Sequence, residues 1–433
     1  SDKKVVVNDV EVDGDGVLVD GTGTNPRGRY SVHFHRNGVH RSAEPARVHG
    51  SVVVDSPGWG FVNHSSYVQF SDNVAYNVDG AAFVTEAGDE IGSFVGNLAI
   101  HSIGSGQGDE TRNELDDFGH GGDGYWFQGG GVSVTDNVAV GQAETGFIFF
   151  TRAISQPGLG KTRFVTENLR EHYSDEVVQE ISQGFTTIDV RLVPIVDYHH
   201  NIAYASRVGS KTKWHQLTST HGQTSHIHDL LLWGNGPISL SYEYSANIHF
   251  ENIHLIGNLE RPIGKGGDPN TFAKRMRFTD MIVEGFSIGL EIPQREWSVV
   301  EGGFYNNLLN FDVQSAVSEG RDVLFTGDIQ FGDLGINKTQ TGIGMRLRLR
   351  SRDHAFLLDQ TTLDFGPFNN QRLYYTQQRS DFVVFPEPID GVDLSFIGKS
   401  NQELWDEFGV ALGGEIAPVD AVEVDGMIGL LAP

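Results

Sequence analysis

Four short segments of the chain end in a residue that can carry or position a proton. His35, Asp55, Asn77 and His101 each take the fifth place of a five-residue segment that opens with Ser or Asn. His33 stands two residues before His35, so an extended strand puts both on the same face. Because an imidazole and a carboxylate held together can exchange protons near neutral pH, this column predicts general acid–base chemistry.

A second set of segments gives another polar column, because it follows the first set at a matching offset. The fifth residues of this set are His64, Glu86 and Gln128. Glu86 lies in the stretch 85–90, a turn that holds three carboxylates. If the two columns flank one groove, histidines and carboxylates converge across it, which is the minimum equipment for cleaving a sugar chain.

The expected catalytic groups come from both columns. His33 and His35 are expected to act as base or acid, and Asp55 and His101 to orient them or share that work. Glu86 is the expected partner carboxylate. The residues expected to bind substrate are His64, Asn77, Trp126 and Gln128. Asn77 could instead belong to a structural ladder of stacked amides, and exposed tryptophans that could stack on sugar rings could equally cap layers of the core.

The same residue types also predict a metal site. His35, Asp55 and His101 are the expected ligands of a divalent ion such as zinc. Two histidines flanked by a carboxylate suit proton transfer equally well. The carboxylates of the 85–90 turn could bind calcium, or the turn could be a plain solvated loop.

The elements that must position these residues are short strands that recur along the chain. The segments that begin at residues 31, 51, 73 and 97 are separated by 20, 22 and 24 residues, and later steps of 40 and 64 residues imply insertions. Two strands repeated at fixed offsets predict an all-β parallel β-helix, in which each coil buries its apolar face against its neighbours. An antiparallel sandwich also has short strands, but it gives no reason for the segments to resemble one another.

Strand alternation assigns each segment an inner and an outer face. Apolar residues such as Val52 and Val54 fill the second and fourth places, so we expect them to point inward. Val53, Ala75 and Ala99, at the third place, are then expected to point outward and to leave a groove. Because adjacent coils lie about 4.8 Å apart, the fifth residues would stack on the outer surface.

The pattern also predicts how the chain is divided. Residues 1–334 are expected to form the β-helix, with insertions at 105–122 and 152–196. Residues 335–433 are expected to form the last coils and a C-terminal cap, because the open end of a solenoid must be covered.

A strictly alternating strand follows residue 344 and carries basic residues on one face. These residues are Arg346, Arg348 and Arg350. They could bind the sulfates or carboxylates of a polyanionic glycan, or they could pair with the protein's own acidic residues.

Composition excludes several classes of function. Acidic residues outnumber basic ones by 57 to 31 in a chain of 433, and the net charge of −26 argues against binding to nucleic acid. The absence of cysteine excludes disulfides, thiolate catalysis and cysteine-ligated zinc. No apolar run approaches the roughly 20 residues of a membrane-spanning helix. High acidity without cysteine fits a protein that is secreted or held at the cell surface.

One run of residues carries a family signature. Gly28-Arg29-Tyr30-Ser31-Val32-His33-Phe34-His35 resembles the G-R-Y-P-I-H-F-H run of the cell-surface hyaluronidase family, with Ser31 in place of the usual proline. The stretches 49–77, 83–86 and 136–147 are similar to the coils that follow in that family, and 400–418 to a segment near the end of its bacterial members. The resemblance implies a right-handed parallel β-helix and, for some members, cleavage of hyaluronan. Other members have no known enzymatic activity.

Two hypotheses of different classes follow. The first is a secreted bacterial enzyme, a glycoside hydrolase or a polysaccharide lyase, that cleaves a hyaluronan-like glycan containing uronic acid in a groove on the β-helix. Hydrolysis needs an acid and a base or nucleophile, whereas elimination needs a base and neutralisation of the uronate carboxylate. The sequence leaves both routes open. The second hypothesis is a non-catalytic module for glycan binding or cell-surface adhesion.

Overall fold

The structure is a computed structural model. It describes residues 30–104, 119–153, 155–156, 160–269, 272–293, 296–314 and 322–332, together with Leu334 and the backbone of seven strands between residues 343 and 431. The chain forms two compact units, Ser1–His226 and Ile227–Pro433. In each unit most strands pair in parallel with strands of the preceding and following coils. The predicted parallel β-helix is therefore confirmed.

The first unit contains nineteen strands, one α-helix and two short 3₁₀ helices among its described residues. The strands are β1 Val32–Gly38, β2 Ala46–His49, β3 Val52–Val54, β4 Phe61–Ser71, β5 Val74–Tyr76, β6 Phe83–Thr85, β7 Ile91–Val95, β8 Leu98–Ile100, β9 Tyr125–Phe127, β10 Val132–Thr135, β11 Val138–Val140, β12 Thr145–Phe150, β13 Ser155–Gln156, β14 Gly160–Lys161, β15 Arg163–Val165, β16 Thr187–Asp189, β17 Asp197–His199, β18 Ile202–Tyr204 and β19 Val208–Lys213. The α-helix is α1 Asp175–Ser182, and the 3₁₀ helices are Thr166–Glu171 and Val190–Leu192.

The second unit begins within strand β20, Ser225–His228, and continues through β38. Its strands are β21 Leu231–Trp233, β22 Ile238–Glu243, β23 Ala246–Glu251, β24 His254–Ile256, β25 Lys265–Asp268, β26 Lys274–Thr279, β27 Ile282–Glu284, β28 Ile288–Pro293, β29 Trp297–Asn306, β30 Leu309–Gln314, β31 Asp322–Phe331, β32 Ile343–Leu349, β33 Phe356–Leu358, β34 Thr362–Asp364, β35 Arg372–Gln377, β36 Val383–Pro386, β37 Asp420–Val424 and β38 Met427–Leu431. The last two pairings, β36 with β38 and β37 with β38, are antiparallel.

One sheet of the first unit carries the candidate site. It is formed by β1, β4, β6, β9, β12 and β19, which pair in that order and in parallel. We call it the site sheet. Its inner face is a stack of aromatic rings, in which Phe61, Phe83, Tyr125 and Phe147 follow one another at centroid distances of 5.0, 4.9 and 4.5 Å. Stacked rings fix the register of the sheet, because a slip of one residue would turn them outward.

A buried ladder of asparagines holds the coils together on another side of the first unit. Asn73, Asn97, Asn137 and Asn201 stand at equivalent places, and their side chains hydrogen-bond in series at 2.9, 3.0 and 3.0 Å. Oδ1 of Asn97, Asn137 and Asn201 also accepts the backbone N–H of the preceding coil's asparagine, and Oδ1 of Asn73 accepts that of Ser51. The ladder thus satisfies backbone groups at a corner where the strands are interrupted.

The predicted inner and outer faces of the 51–55 type of segment are wrong. Val53 is 6% exposed and Ala75 is fully buried, whereas Val52 and Val54 are 63% and 53% exposed. These strands are three residues long and are followed by a left-handed residue, so only the middle residue faces the core. In β5 the middle residue is Ala75, and a Cβ on Gly60 would lie in van der Waals contact with it, 3.5 Å from its Cβ.

The second insertion packs on the first unit as a small apolar layer. It contains the 3₁₀ helix Thr166–Glu171 and helix α1, which starts after an N-cap at Ser174. Leu169, Val178 and Ile181 contact Ile91 of the β-helix in one buried cluster. The first insertion lies mostly outside the described residues.

The predicted division at residue 335 stays a prediction. The alternating strand is found as β32, whose register places Arg346 beside Asp312 and Arg348 beside Gln314, while Arg350 lies outside the described residues.

Candidate functional site

Three histidines lie next to one another on the outer face of the site sheet. The register of β1 and β4 places His35 beside His64, and His33 precedes them by one outward position. The ring centroids are 4.5 Å apart for His35 and His64 and 5.1 Å apart for His33 and His35. Glu86 follows β6 directly and donates its backbone N–H to Asn63 of β4, so it continues the outward column of His64.

The predicted column of His35, Asp55, Asn77 and His101 is wrong at its first member. Segment 31–35 pairs with 61–64, in the site sheet, and not with 52–54, which pair with 74–76. His35 therefore joins His64 and Glu86, the column predicted from the second set of segments. The histidines and the carboxylate do converge, but on one sheet instead of across a groove between two.

His64 and Glu86 meet at ion-pair distance in a nearly buried position. Nδ1 of His64 lies 3.0 Å from Oε2 of Glu86, and Nε2 of His33 lies 3.7 Å from the same oxygen. The His64 side chain is 7% exposed and that of Glu86 is 16% exposed, whereas His35 is exposed. An imidazole–carboxylate pair therefore lies just beneath an imidazole that solvent can reach.

Burial and charge give the three imidazoles different proton affinities. Burial lowers the pKa of His33. Glu86 raises this pKa, but the neighbouring His35 and His64 lower it, and the net shift is downward. Burial lowers the pKa of His35 as well, with His64 and Arg36 acting in the same direction. Burial also opposes the charged form of His64, but Glu86 outweighs it and the pKa of His64 is raised. Groups with opposed proton preferences in one cluster are what acid–base catalysis requires.

A single buried carboxylate holds the His64 and Glu86 loops together. Oε1 of Glu90 accepts the backbone N–H of Ser65 at 3.0 Å and of Ala87 at 2.6 Å, and Oε2 accepts that of Gly88 at 2.7 Å. Burial, reinforced by the charge of Asp89, raises the pKa of Glu90 to about 7. The turn 85–90 is thus neither a solvated loop nor an open set of carboxylates, because Glu90 is used by the backbone.

Asp55, Asn77 and His101 form a ladder of their own, away from the cluster. Nδ2 of Asn77 donates to Oδ1 of Asp55 at 2.6 Å, and Nδ1 of His101 lies 3.2 Å from Oδ1 of Asn77. All three have φ between 53° and 56°, the left-handed region that a short strand's turn requires and that Asp and Asn tolerate. The geometry fits the structural ladder considered for Asn77. It does not bring Asp55 and His101 to His35, so the predicted metal ligands are not assembled.

Trp126 and Gln128 lie on the site sheet but are buried. Trp126 belongs to an outer apolar cluster and is 7% exposed, and its Nε1 donates to Oε1 of Gln128 at 2.9 Å. Gln128 is 1% exposed, and its amide nitrogen donates to the carbonyl of Arg152. These side chains support the sheet beneath the cluster, and nothing in their geometry favours the predicted contact with substrate.

Among the described residues, the histidine cluster has the ligand types and spacing that could hold a metal ion. His33, His35 and His64 each offer one ligand atom, and these atoms lie within 4.8 Å of one another. Sequence reasoning missed this set, although a signal for it exists. Aligning Ser31-Val32-His33-Phe34-His35 with Gly60-Phe61-Val62-Asn63-His64 puts His35 on His64.

The comparison with known proteins agrees with this fold. Residues 4–177 match the family model of the CEMIP β-helix. The resemblance inferred from the 28–35 run is thereby confirmed, and the match supports a hyaluronidase-like β-helix for the part of the chain that holds His33, His35, His64 and Glu86. No curated protein matches the chain.

None of the helices among the described residues has the length and the apolar character that crossing a bilayer demands.

Proposed function

We propose that this protein cleaves a polysaccharide at the cluster of His33, His35, His64 and Glu86, outside the cell or at its surface. One observation carries the proposal: the nearly buried pair of His64 and Glu86 lies next to the imidazole of His35, which is exposed to solvent. A carboxylate and imidazoles held in such a cluster can donate and accept protons at neutral pH. The match of residues 4–177 to the CEMIP β-helix supports the choice of a glycan as substrate.

Glu86 is the group we expect to transfer the proton. Its side chain is 16% exposed, and His64 on one side and His33 on the other lie 3.0 and 3.7 Å from Oε2. His35 lies on the solvent side of this pair, where it can hydrogen-bond a sugar hydroxyl or carboxylate. In hydrolysis the proton goes to or from the glycosidic oxygen and the attacking water. In elimination the base takes the proton from the ring carbon next to the uronate carboxylate, a carbon–carbon double bond forms, and the bond to the glycosidic oxygen breaks as that oxygen takes up a proton.

An apolar column lies beside the polar column of the cluster in the site sheet. The outward column that begins at His33 continues as Val62, Val84, Trp126 and Ile148 in the register of the sheet. These apolar side chains are buried in the outer cluster. They hold the polar column in place and exclude water from its base, which strengthens the His64–Glu86 interaction.

A turnover assay tests the proposal directly. The full chain is incubated with a panel of acidic and neutral polysaccharides, and both new reducing ends and the ultraviolet absorbance of unsaturated products are followed. Reducing ends alone indicate hydrolysis, and both signals together indicate elimination. Glu86→Gln should lower the rate about 10²–10⁴-fold, the usual contribution of general acid–base catalysis, and His35→Ala should lower it through the lost hydrogen bond to the substrate.

His101→Ala is the matched control, since it removes an imidazole from the separate ladder. It should retain the wild-type rate. Equal rates for Glu86→Gln, His35→Ala and wild type would overturn the assignment of the site. Retention of a glycan without any product would favour the non-catalytic binding module instead.

A further inference from the structure

We propose that His33, His35 and His64 bind one divalent transition-metal ion. This goes beyond cleavage of a glycan, and it does not depend on that function, because binding of an ion can be measured without any substrate.

The positions of the three imidazoles fit a single ion. Their ligand atoms lie within 4.8 Å of one another. Nitrogens bound at about 2.1 Å to a tetrahedral ion lie about 3.4 Å apart. The difference is covered by small rotations of the side chains, and His33 and His35 have room for them because they are not fully buried.

His64 supplies an independent indication. It is 5% exposed, and among the described residues neither of its ring nitrogens makes an aligned hydrogen bond. Nε2 of His33 and Oε2 of Glu86 are likewise buried without one. A buried polar group normally has a partner. Because Nδ1 of His64 and Oε2 of Glu86 face each other at 3.0 Å, the buried atoms left without a partner are Nε2 of His64 and Nε2 of His33, and a metal ion bound between the imidazoles would satisfy both.

The ligand types select the class of ion. Three imidazoles suit zinc, cobalt, nickel or copper, whereas calcium and magnesium require oxygen ligands. Three protein ligands with an exposed side at His35 leave room for water or substrate at the remaining position, as in catalytic zinc sites.

Glu86 completes the arrangement without being one of the three ligands. A metal-bound histidine usually directs its other ring nitrogen at a carboxylate. Nδ1 of His64 lies 3.0 Å from Glu86, which leaves Nε2 to face the ion. Glu86 remains available as the proton-transfer group of the proposed reaction.

Binding is tested on the full chain produced without a histidine tag and stripped with a chelator. Zinc chloride is titrated calorimetrically, and cobalt chloride is titrated while visible absorbance is recorded. We expect about one ion per chain and a cobalt spectrum of tetrahedral or five-coordinate intensity. His64→Ala and His35→Ala should each weaken binding at least about 100-fold, given that loss of an outer-shell partner alone costs 10–100-fold.

Two controls separate the outcomes. His101→Ala and His49→Ala remove exposed histidines elsewhere and should leave the stoichiometry and affinity unchanged, and circular dichroism verifies that each variant is folded. His35→Ala keeps the test valid if His64→Ala fails to fold, because His35 is exposed. Absence of stoichiometric binding, or binding that survives His35→Ala, overturns the metal site. Cleavage by the stripped chain would then leave the proposed function intact. Zinc binding without cleavage would support the metal site and contradict the proposed function.

Discussion

Glu90 shows how one residue can set the geometry of the cluster without facing it. Its carboxylate receives the N–H groups of Ser65 and Ala87, the residues that immediately follow His64 and Glu86. The two loops are therefore fixed to each other through a group that is 2% exposed. This shared acceptor keeps the distance between the His64 loop and the Glu86 loop constant, which neither strand alone would do.

Glu90→Gln is expected to destabilise the first unit by about 1–3 kcal/mol, the cost of leaving a buried donor unsatisfied. The amide has one carbonyl oxygen, so it cannot accept the N–H groups of both Ala87 and Gly88 at opposite oxygens. Urea denaturation at neutral pH measures the change. Asp89→Asn is the matched control, since it removes a neighbouring charge without removing the clamp. An effect of Asp89→Asn as large as that of Glu90→Gln would contradict the clamp.

At the scale of single residues, the sequence identifies which residues could do the chemistry but not which of them lie together. His33, His35, His64 and Glu86 can all be selected as reactive residues from their pattern. Assigning His35 to Asp55 failed because segments 31–35, 51–55 and 60–64 are similar in length and polarity. A strand can be aligned with either neighbour, and only the pairing of β1 with β4 decides between them.

At the scale of elements, the short strands explain why the fold was predicted correctly and why the faces of some strands were not. Repetition at about 22 residues predicts the parallel β-helix, because the coils must stack to bury a core. The predicted inner and outer faces of β3, β5 and β8 were wrong, because an alternation of period two does not show which set of side chains points into the core. Valines at both ends of Val52–Val54 indicate an inner face, whereas the strand buries only its middle residue, Val53.

The two ladders of the first unit should differ sharply in their contribution to stability. Asn137→Ala removes a side chain that donates to Phe94 and Thr135 and accepts from Asn97, all in the buried interior. Unsatisfied buried groups cost about 1–3 kcal/mol each, so a loss of about 3 kcal/mol or more is expected. Asn77→Ala acts on the exposed ladder and should cost less than about 1 kcal/mol. Urea midpoints of the two variants make the comparison. Equal losses would mean that the exposed ladder also supports the coils.

For the whole molecule, two buried titratable groups oppose each other as the pH changes. Burial, together with the charge of Glu144, raises the pKa of Asp123 to about 7. Burial lowers the pKa of His215 to about 3, and its Nε2 lies 2.7 Å from Oγ of Ser225. Both groups are neutral in the folded state over much of the range from pH 4 to 7. Unfolding returns each group to its ordinary pKa, so the free energy of unfolding must depend on pH through both of them.

The two contributions to the pH dependence of the unfolding free energy have opposite signs. General repulsion from the net charge of −26 would not produce such opposite effects. Between about pH 4 and 7 the folded state binds more protons at Asp123 than the unfolded state does, so this contribution is lost as the pH rises towards 7. At His215 the unfolded state binds more protons between about pH 3 and 6.5, so that contribution is lost as the pH falls. Asp123→Asn should therefore flatten the decline in unfolding free energy from pH 4 to 7, by up to about 4 kcal/mol. His215→Gln should flatten the loss of stability in acid. Chemical denaturation at half-unit pH steps measures both slopes, and a common shift of both variants in one direction would show that general charge repulsion dominates.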